Sequence, residues 1–159
     1  MAIKAGDKLP DLKLKEMGDG GPKDVSLGEL TKGKKVVIFA VPGAFTPTCS
    51  MKHLPGFVEK AGDLKAKGVQ EIACVSVNDA FVMGAWGKDQ GAAGKVRMLA
   101  DGNGELAKAL GLELDASGFG MGKRSKRYAM IVNDGKVEQL LVDESGLKES
   151  SAESVLAKL

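Results

Sequence analysis

Two cysteines and a single histidine carry most of the nucleophilic and proton-handling capacity of this 159-residue chain. Cys49 closes the stretch Val41-Pro42-Gly43-Ala44-Phe45-Thr46-Pro47-Thr48-Cys49. There an apolar run stops at Pro42, a turn of Pro, Gly and Thr follows, and a helical pattern opens. A thiol in the first turn of a helix meets unpaired backbone N–H groups and the positive end of the helix dipole, and both favour an anion. Its natural chemistry is nucleophilic or redox. An exposed thiol at such a place is poorly explained by packing. Cys74 differs: it lies within Glu71-Ile72-Ala73-Cys74-Val75-Ser76-Val77, which reads as a buried strand, so a small core residue is its ordinary role. His53 stands one helical turn beyond Cys49, where a thiol–imidazole pair and a local packing role are both open.

Composition removes several alternatives. With 23 Lys and Arg against 21 Asp and Glu, the net charge of +2 argues against nucleic acid as a partner. No apolar segment approaches the roughly 18 to 20 residues of a membrane span. One histidine and two cysteines make neither a disulfide-stapled fold nor a multi-histidine metal site. Cys49 and His53 alone would supply too few ligands for a metal, and none is expected. Lys52 stands where a Cys-x-x-Cys dithiol exchanger would carry its second thiol. The opening Met1-Ala2-Ile3-Lys4 shows no apolar signal core, so the cytoplasm is the first expectation for location. Ala157-Lys158-Leu159 resembles a variant of the peroxisomal Ser-Lys-Leu address, which makes the peroxisome one alternative. A mature organellar form is another.

The elements that must hold Cys49 follow from periodicity. Lys35 to Val41 is apolar on both faces and reads as a central strand covered on both sides. From Cys49 to about Lys67, Leu54, Phe57, Val58, Ala61 and Leu64 recur at helical spacing, with a kink or break expected at Pro55 and a stop at Gly68. Strand 35–41, helix 49–67 and strand 71–77 form a βαβ unit with parallel strands. This places Cys49 beyond the carboxyl end of its strand, where open α/β sheets site their ligands. It also places Cys74 roughly 10 Å short of that edge, too far for a disulfide with Cys49 unless the helix start unwinds.

Residues 80–90 read as a helix with Phe81, Met83 and Trp86 on its apolar positions, 96–99 as a short strand, and 105–110 as a short helix. Tyr128 to Val142 forms a hairpin turning at Asp134-Gly135. Ser26 with Glu29, and Ser150 with Glu153, have capping-box spacing ahead of helices. The short alternating segment Leu12-Lys13-Leu14-Lys15 leads into a loop rich in Gly, Asp and Lys, Ser26 to Leu30 reads as one helical turn, and 112–127 reads as irregular. The whole of 1–159 reads as one α/β domain, a sandwich with a mixed sheet.

Pro42, Thr46 and Cys49 resemble the Pro-x-x-x-Thr-x-x-Cys signature of the peroxiredoxins. The continuation Ser50-Met51-Lys52-His53-Leu54-Pro55-Gly56-Phe57 resembles the type II (atypical 2-Cys) subfamily, plant-like or peroxiredoxin-5-type. Ser76-Val77-Asn78-Asp79-Ala80-Phe81-Val82 and Lys126-Arg127-Tyr128 extend the likeness over nearly the whole chain. The resemblance implies a thioredoxin-like fold and thiol-dependent reduction of hydrogen peroxide and alkyl hydroperoxides, with no cofactor. It further implies a homodimer, and an external reductant that is either glutaredoxin with glutathione or thioredoxin. By position, Cys49 becomes the peroxidatic cysteine, with Pro42, Thr46 and Arg127 supporting it. Gly146 to Ser151, where animal members carry a resolving cysteine, contains none, and Cys74 stands at the plant-like position, its resolving role open.

The chemistry sets demands on these residues. A free thiol with a pKa near 8.5 is roughly 3% ionised at pH 7, so complete ionisation gains at most about 30-fold. The larger share of a fast reaction must come from donors that align the peroxide and stabilise the departing oxygen. Arg127, permanently charged and fork-shaped, suits that role. The Thr46 hydroxyl can accept from peroxide and donate toward sulfur, and the Pro42 ring can limit water. Without the resemblance, Pro42 and Thr46 would read as turn residues and Arg127 as part of the basic loop Lys123-Arg124-Ser125-Lys126-Arg127. Phe45, Phe119 and Leu114 are candidates for an apolar collar, with core packing as the default for each. A slow redox sensor that signals through the same sulfenic acid is the alternative to a peroxidase, and rate separates the two.

Overall fold

Strand β3 (Lys35–Val41) is buried on both faces: from Val36 to Val41 no residue is more than 1% exposed. Alternate side chains point to opposite sides. Val37, Phe39 and Val41 join one apolar cluster with Leu54, Phe57 and Trp86, and Val36, Ile38 and Ala40 join another with Leu27, Leu30 and Leu106. The computed structural model describes residues 2–144 and 146–159.

Around β3 the sheet runs β2-β1-β5-β4-β3-β8-β9. Its other strands are β1 (Lys13–Gly18), β2 (Gly21–Ser26), β4 (Glu71–Ser76), β5 (Arg97–Ala100), β8 (Arg127–Asn133) and β9 (Lys136–Asp143). β3, β4 and β5 are parallel, whereas β8 and β9 on one flank and β1 and β2 on the other pair antiparallel. Helices α2 (Leu54–Ala66), α3 (Ala80–Asp89) and α5 (Ala152–Lys158) cover one face; α1 (Leu27–Thr31) and α4 (Glu105–Leu110) cover the other. This is the α/β sandwich with a mixed sheet that the alternation of elements predicts.

Several expectations need correction. The alternating segment 12–15 and the loop expected after it form the β1–β2 hairpin. Only Leu14 and Val25 are fully buried in it, and Pro22 lies on the edge strand, so composition conceals the pairing. Residues 112–127 contain a separate two-stranded sheet of β6 (Glu113–Asp115) and β7 (Lys123–Ser125), too short for periodicity to register. The last helix is capped by Ser151, whose Oγ accepts from the Ser154 N–H, and not by Ser150, whose hydroxyl donates to Asp143. Phe81 occupies a helical position in α3 but is 66% exposed.

The expected break at Pro55 takes the form of a π turn at Cys49–His53, closed by the Leu54 N–H on the Cys49 carbonyl. Proline has no N–H to continue the ladder, so the wider turn just ahead of it costs little further bonding.

The β8–β9 hairpin turns through Asp134 at φ 50 and Gly135 at φ 78. Two successive positive φ values are what a type I′ turn requires, and Asp-Gly supplies them. Gly135→Ala keeps the register but forces a Cβ into the left-handed region. The urea midpoint should report a loss of about 1 kcal/mol.

Candidate active site

Three elements converge at the carboxyl end of β3. The first is the turn 42–46, which leads from β3 into helical geometry beginning at Pro47. The first helical bond runs from the Ser50 N–H to the Thr46 carbonyl, so the N–H groups of Thr48 and Cys49 lie ahead of it as open donors. The second is β8, which begins at Arg127 and pairs its next residue, Tyr128, with Ala40 of β3. The third is the segment 148–150 that follows β9. Parallel pairing of β3 with β4 then brings Asn78, just past β4, against the turn. Asn78 Oδ1 accepts from the Ala44 N–H at 3.0 Å and from the Ser76 hydroxyl at 2.6 Å.

Within the turn, Phe45 has φ 63, a left-handed conformation costing a residue with a Cβ roughly 1–2 kcal/mol. Its ring stands 6.3 Å from that of Trp86, and the Trp86 indole N–H donates to Ser50 Oγ at 2.9 Å. The cysteine is thus followed by a residue tied to α3 and preceded by a turn tied to β4.

Cys49 itself has 0% exposure, so the exposed thiol expected at this helix start is instead enclosed. Arg127, 8% exposed, donates from Nη2 to Cys49 Sγ at 3.1 Å and from Nη1 to His53 Nδ1 at 2.8 Å. The helical spacing of Cys49 and His53 therefore serves a shared guanidinium and not a thiol–imidazole pair. His53 Nε2 lies 2.9 Å from the Ser150 carbonyl. A carbonyl can only accept and a guanidinium can only donate, so the proton sits on Nε2 and the lone pair on Nδ1. Burial, reinforced by the Arg127 charge and only partly opposed by Ser150, pushes the His53 pKa down to about 3. The ring stays neutral and is too weak a base to take a thiol proton near neutral pH.

The Thr46 hydroxyl donates to the Gly43 carbonyl at 2.7 Å. Its one proton is committed there and not toward sulfur, which leaves its lone pairs to accept. Pro42 lines a cavity of about 120 Å³ with Leu114, Arg127 and Gly146, and the Lys126–Glu144 ion pair, at 3.3 Å, flanks it. A larger groove of about 390 Å³, lined by Glu16, Lys65 and Arg97 among others, contains neither cysteine. Phe45 and Phe119 are 52% and 86% exposed, so core packing is wrong for both; Leu114, half-buried, faces the cavity.

Cys74, paired in register between Phe39 and Met98, is fully buried. Burial pushes its thiol pKa well up, the nearby Cys49 adds to this, and Arg127 opposes it. Both cysteines are free thiols. The residues that sequence reasoning missed are Asp143, whose carboxylate holds the backbone N–H groups of 148–150, and Ser150, whose carbonyl meets His53; backbone partners carry no compositional signal.

The His53 shift has a definite sign. The unfolded chain takes up a proton near the ordinary 6.5, whereas the folded protein does so only near 3. Between these values the unfolded state binds more protons, so this contribution to stability is complete above about 6.5 and is lost as pH falls toward 3. Urea midpoints should therefore drop from about pH 7 to about pH 5, and His53→Asn should flatten that segment. The carboxylate of Asp143 is lost only below its ordinary 3.8, outside that window.

Comparison with known proteins agrees with this geometry. The family model described as Redoxin matches residues 4–156. Peroxiredoxin-2E-2, chloroplastic, of Oryza sativa subsp. japonica is 56% identical over 163 residues, covering 99% of this chain and 72% of the relative. Peroxiredoxin-2B of Arabidopsis thaliana is 49% identical over 159 residues, covering 99% and 98%. The crystal structure of reduced Prx3 in complex with hydrogen peroxide from Vibrio vulnificus superposes with a TM-score of 0.94 at 53% identity, covering 98% of each chain. With a thioredoxin-like sheet, an enclosed cysteine at a helix start and an arginine on its sulfur, the chain belongs to the redoxin family and, within it, to the type II peroxiredoxins.

Proposed function

We propose that Cys49 is the peroxidatic nucleophile of this thiol-dependent peroxidase, and that Arg127, Thr46 and Pro42 form its immediate machinery. The observation that supports this reading best is the buried Arg127 guanidinium on the Cys49 sulfur at 3.1 Å. The Cys49 thiolate attacks one oxygen of the peroxide. An S–O bond forms, the O–O bond breaks, and sulfur becomes a sulfenic acid while hydroxide or alkoxide leaves and takes up a proton. Arg127 has five N–H donors, of which the sulfur and His53 engage one each, and the remainder can hold the peroxide and the departing oxygen. Thr46 accepts from the incoming peroxide, and the open N–H of Cys49 adds a further donor. Pro42 and Leu114 stand with Arg127 around a small cavity on the side of the guanidinium, and hydrogen peroxide or a small alkyl hydroperoxide is the substrate class.

An external thiol then condenses with the sulfenic acid, releasing water and leaving a mixed disulfide that a second thiol reduces. Glutaredoxin with glutathione, or thioredoxin, is the reductant class. Cys74, deep in β4 with a raised pKa, is a poor resolving thiol, which favours an external partner. A homodimer goes with the family reading, and the exposed apolar side chains of Phe45, Met51, Phe81 and Phe119 are available to such an interface. For location, the chloroplastic designation of two relatives, at 56% and 53% identity, supports the mature organellar form over the cytoplasmic expectation. No helix among the described residues is long and apolar enough to cross a membrane.

The deciding experiment is single-turnover oxidation by hydrogen peroxide. Wild type should react orders of magnitude faster than free cysteine, and Cys49→Ser should show no turnover. Arg127→Ala should lose more than the roughly 30-fold that thiol ionisation alone can explain. A wild-type rate near that of free cysteine would instead favour the sensor. Intact mass after peroxide treatment should show no intramolecular disulfide, and an oxidised species two hydrogen atoms lighter than the reduced protein, absent from Cys74→Ser, would restore a resolving role to Cys74.

A further inference from the structure

The Asp143 carboxylate, at the end of β9 and 6% exposed, accepts four hydrogen bonds from the segment that follows it. These are the backbone N–H groups of Lys148, Glu149 and Ser150 at 3.0, 2.9 and 2.9 Å, and the Ser150 hydroxyl at 2.7 Å. Burial alone would make the carboxylate harder to ionise, but these donors outweigh it and hold its pKa below the ordinary range. Ser150, itself fully buried, presents its carbonyl to His53 Nε2. One continuous line of contacts therefore runs from Asp143 through Ser150, His53 and Arg127 to the Cys49 sulfur.

We propose that Asp143 is a positioning residue for the Cys49 reaction. By winding residues 148–150 onto its carboxylate it fixes the Ser150 carbonyl, which orients the His53 ring, whose free nitrogen aims the Arg127 guanidinium at the sulfur. The inference rests on the peroxidase reading of Cys49.

Each link has one acceptable arrangement. The Ser150 carbonyl requires the proton on Nε2, which leaves Nδ1 as an acceptor, and a guanidinium offers that acceptor only a donor. A neutral ring can hold Arg127 without neutralising it, whereas a carboxylate in the same place would draw the guanidinium away from sulfur. The carboxylate is instead kept at the far end of the line, where it organises backbone. Arg127 makes two of its contacts in the interior, and a displacement on the order of 1 Å at its tip is enough to cost a large part of the rate.

The test is a double-mutant cycle read by single-turnover oxidation of Cys49 with hydrogen peroxide, using the full chain. Asp143→Asn preserves shape but turns an amide N–H toward backbone donors. It should slow oxidation roughly tenfold or more in the wild-type background and have no effect in the Arg127→Ala background. Equal slowing in both backgrounds would show that Asp143 acts generally on the fold, and no slowing in wild type would show that it does not act at all; either result overturns the proposal. Should Asp143→Asn not fold, Ser150→Ala, which removes only the hydroxyl bond, decides by the same cycle with an effect of a few-fold. His53→Leu should lose rate like Asp143→Asn, and His53→Asn, whose Oδ1 can accept from Arg127, should recover part of it. No recovery would break the line at His53. A wild-type rate at the level of free cysteine, seen before any variant is made, would overturn the peroxidase reading itself.

Discussion

The site depends on one guanidinium that is buried yet not neutralised by a carboxylate. Among the described residues, Arg127 has a sulfur on one terminal nitrogen and a neutral imidazole nitrogen on the other. A buried cation normally takes an acidic partner, because desolvation is otherwise too costly. Here the cost is met by two weaker acceptors, and the charge remains available to an anion formed at Cys49. This explains why the histidine must be neutral, and why it sits in a pocket with the rings of Phe39 and Phe57, with ring centroids 5.0 and 5.6 Å away. Those rings suppress protonation, and the charge of Arg127 suppresses it further.

The fold brings these groups together by sheet topology. Cys49 reaches the site along the crossover from β3 to β4, and Arg127 reaches it because β8 runs antiparallel to β3 on the opposite flank. The end of one strand and the beginning of its neighbour therefore meet at the same edge. Residues 78 apart in sequence touch without any long loop having to be ordered. The larger cost is local: Phe45 is held at a positive φ, and Cys49 is fully enclosed.

Much of this was legible from the chain. The uninterrupted apolar run 35–41 predicts a strand covered on both sides, the Asp-Gly pair predicts its hairpin, and the motif that singles out Cys49 and Arg127 picks two residues that the structure places in contact. The less visible parts share a physical reason. The β1–β2 hairpin buries little, so alternation is faint in Lys15, Glu16, Lys23 and Asp24. The role of His53 depends on which atom lies beside it in space, and helical spacing shows only that Cys49 shares its face. The Asp143 carboxylate binds main-chain N–H groups and Ser150 meets His53 through its carbonyl; such partners exist in every residue type, so composition is silent about the pairing. The enclosure of Cys49 was missed because a helix terminus is ordinarily wet, whereas this one is roofed by neighbouring strands and turns.

The π turn at Cys49–His53 bears on how this stretch tolerates insertion and deletion. A π turn differs from an α turn by one extra residue within a single loop of the spiral, after which the helix continues with its buried stripe intact. In this chain Leu54, Phe57, Ala61 and Leu64 keep their places in the core beyond it. The extra residue is thus carried where backbone carbonyls can spread and not where side chains interlock. Shortening the turn by one residue would leave α2 seated on the sheet but swing either the sulfur or the imidazole off the guanidinium. The length of five residues is a gauge setting the gap between the two groups that Arg127 must span.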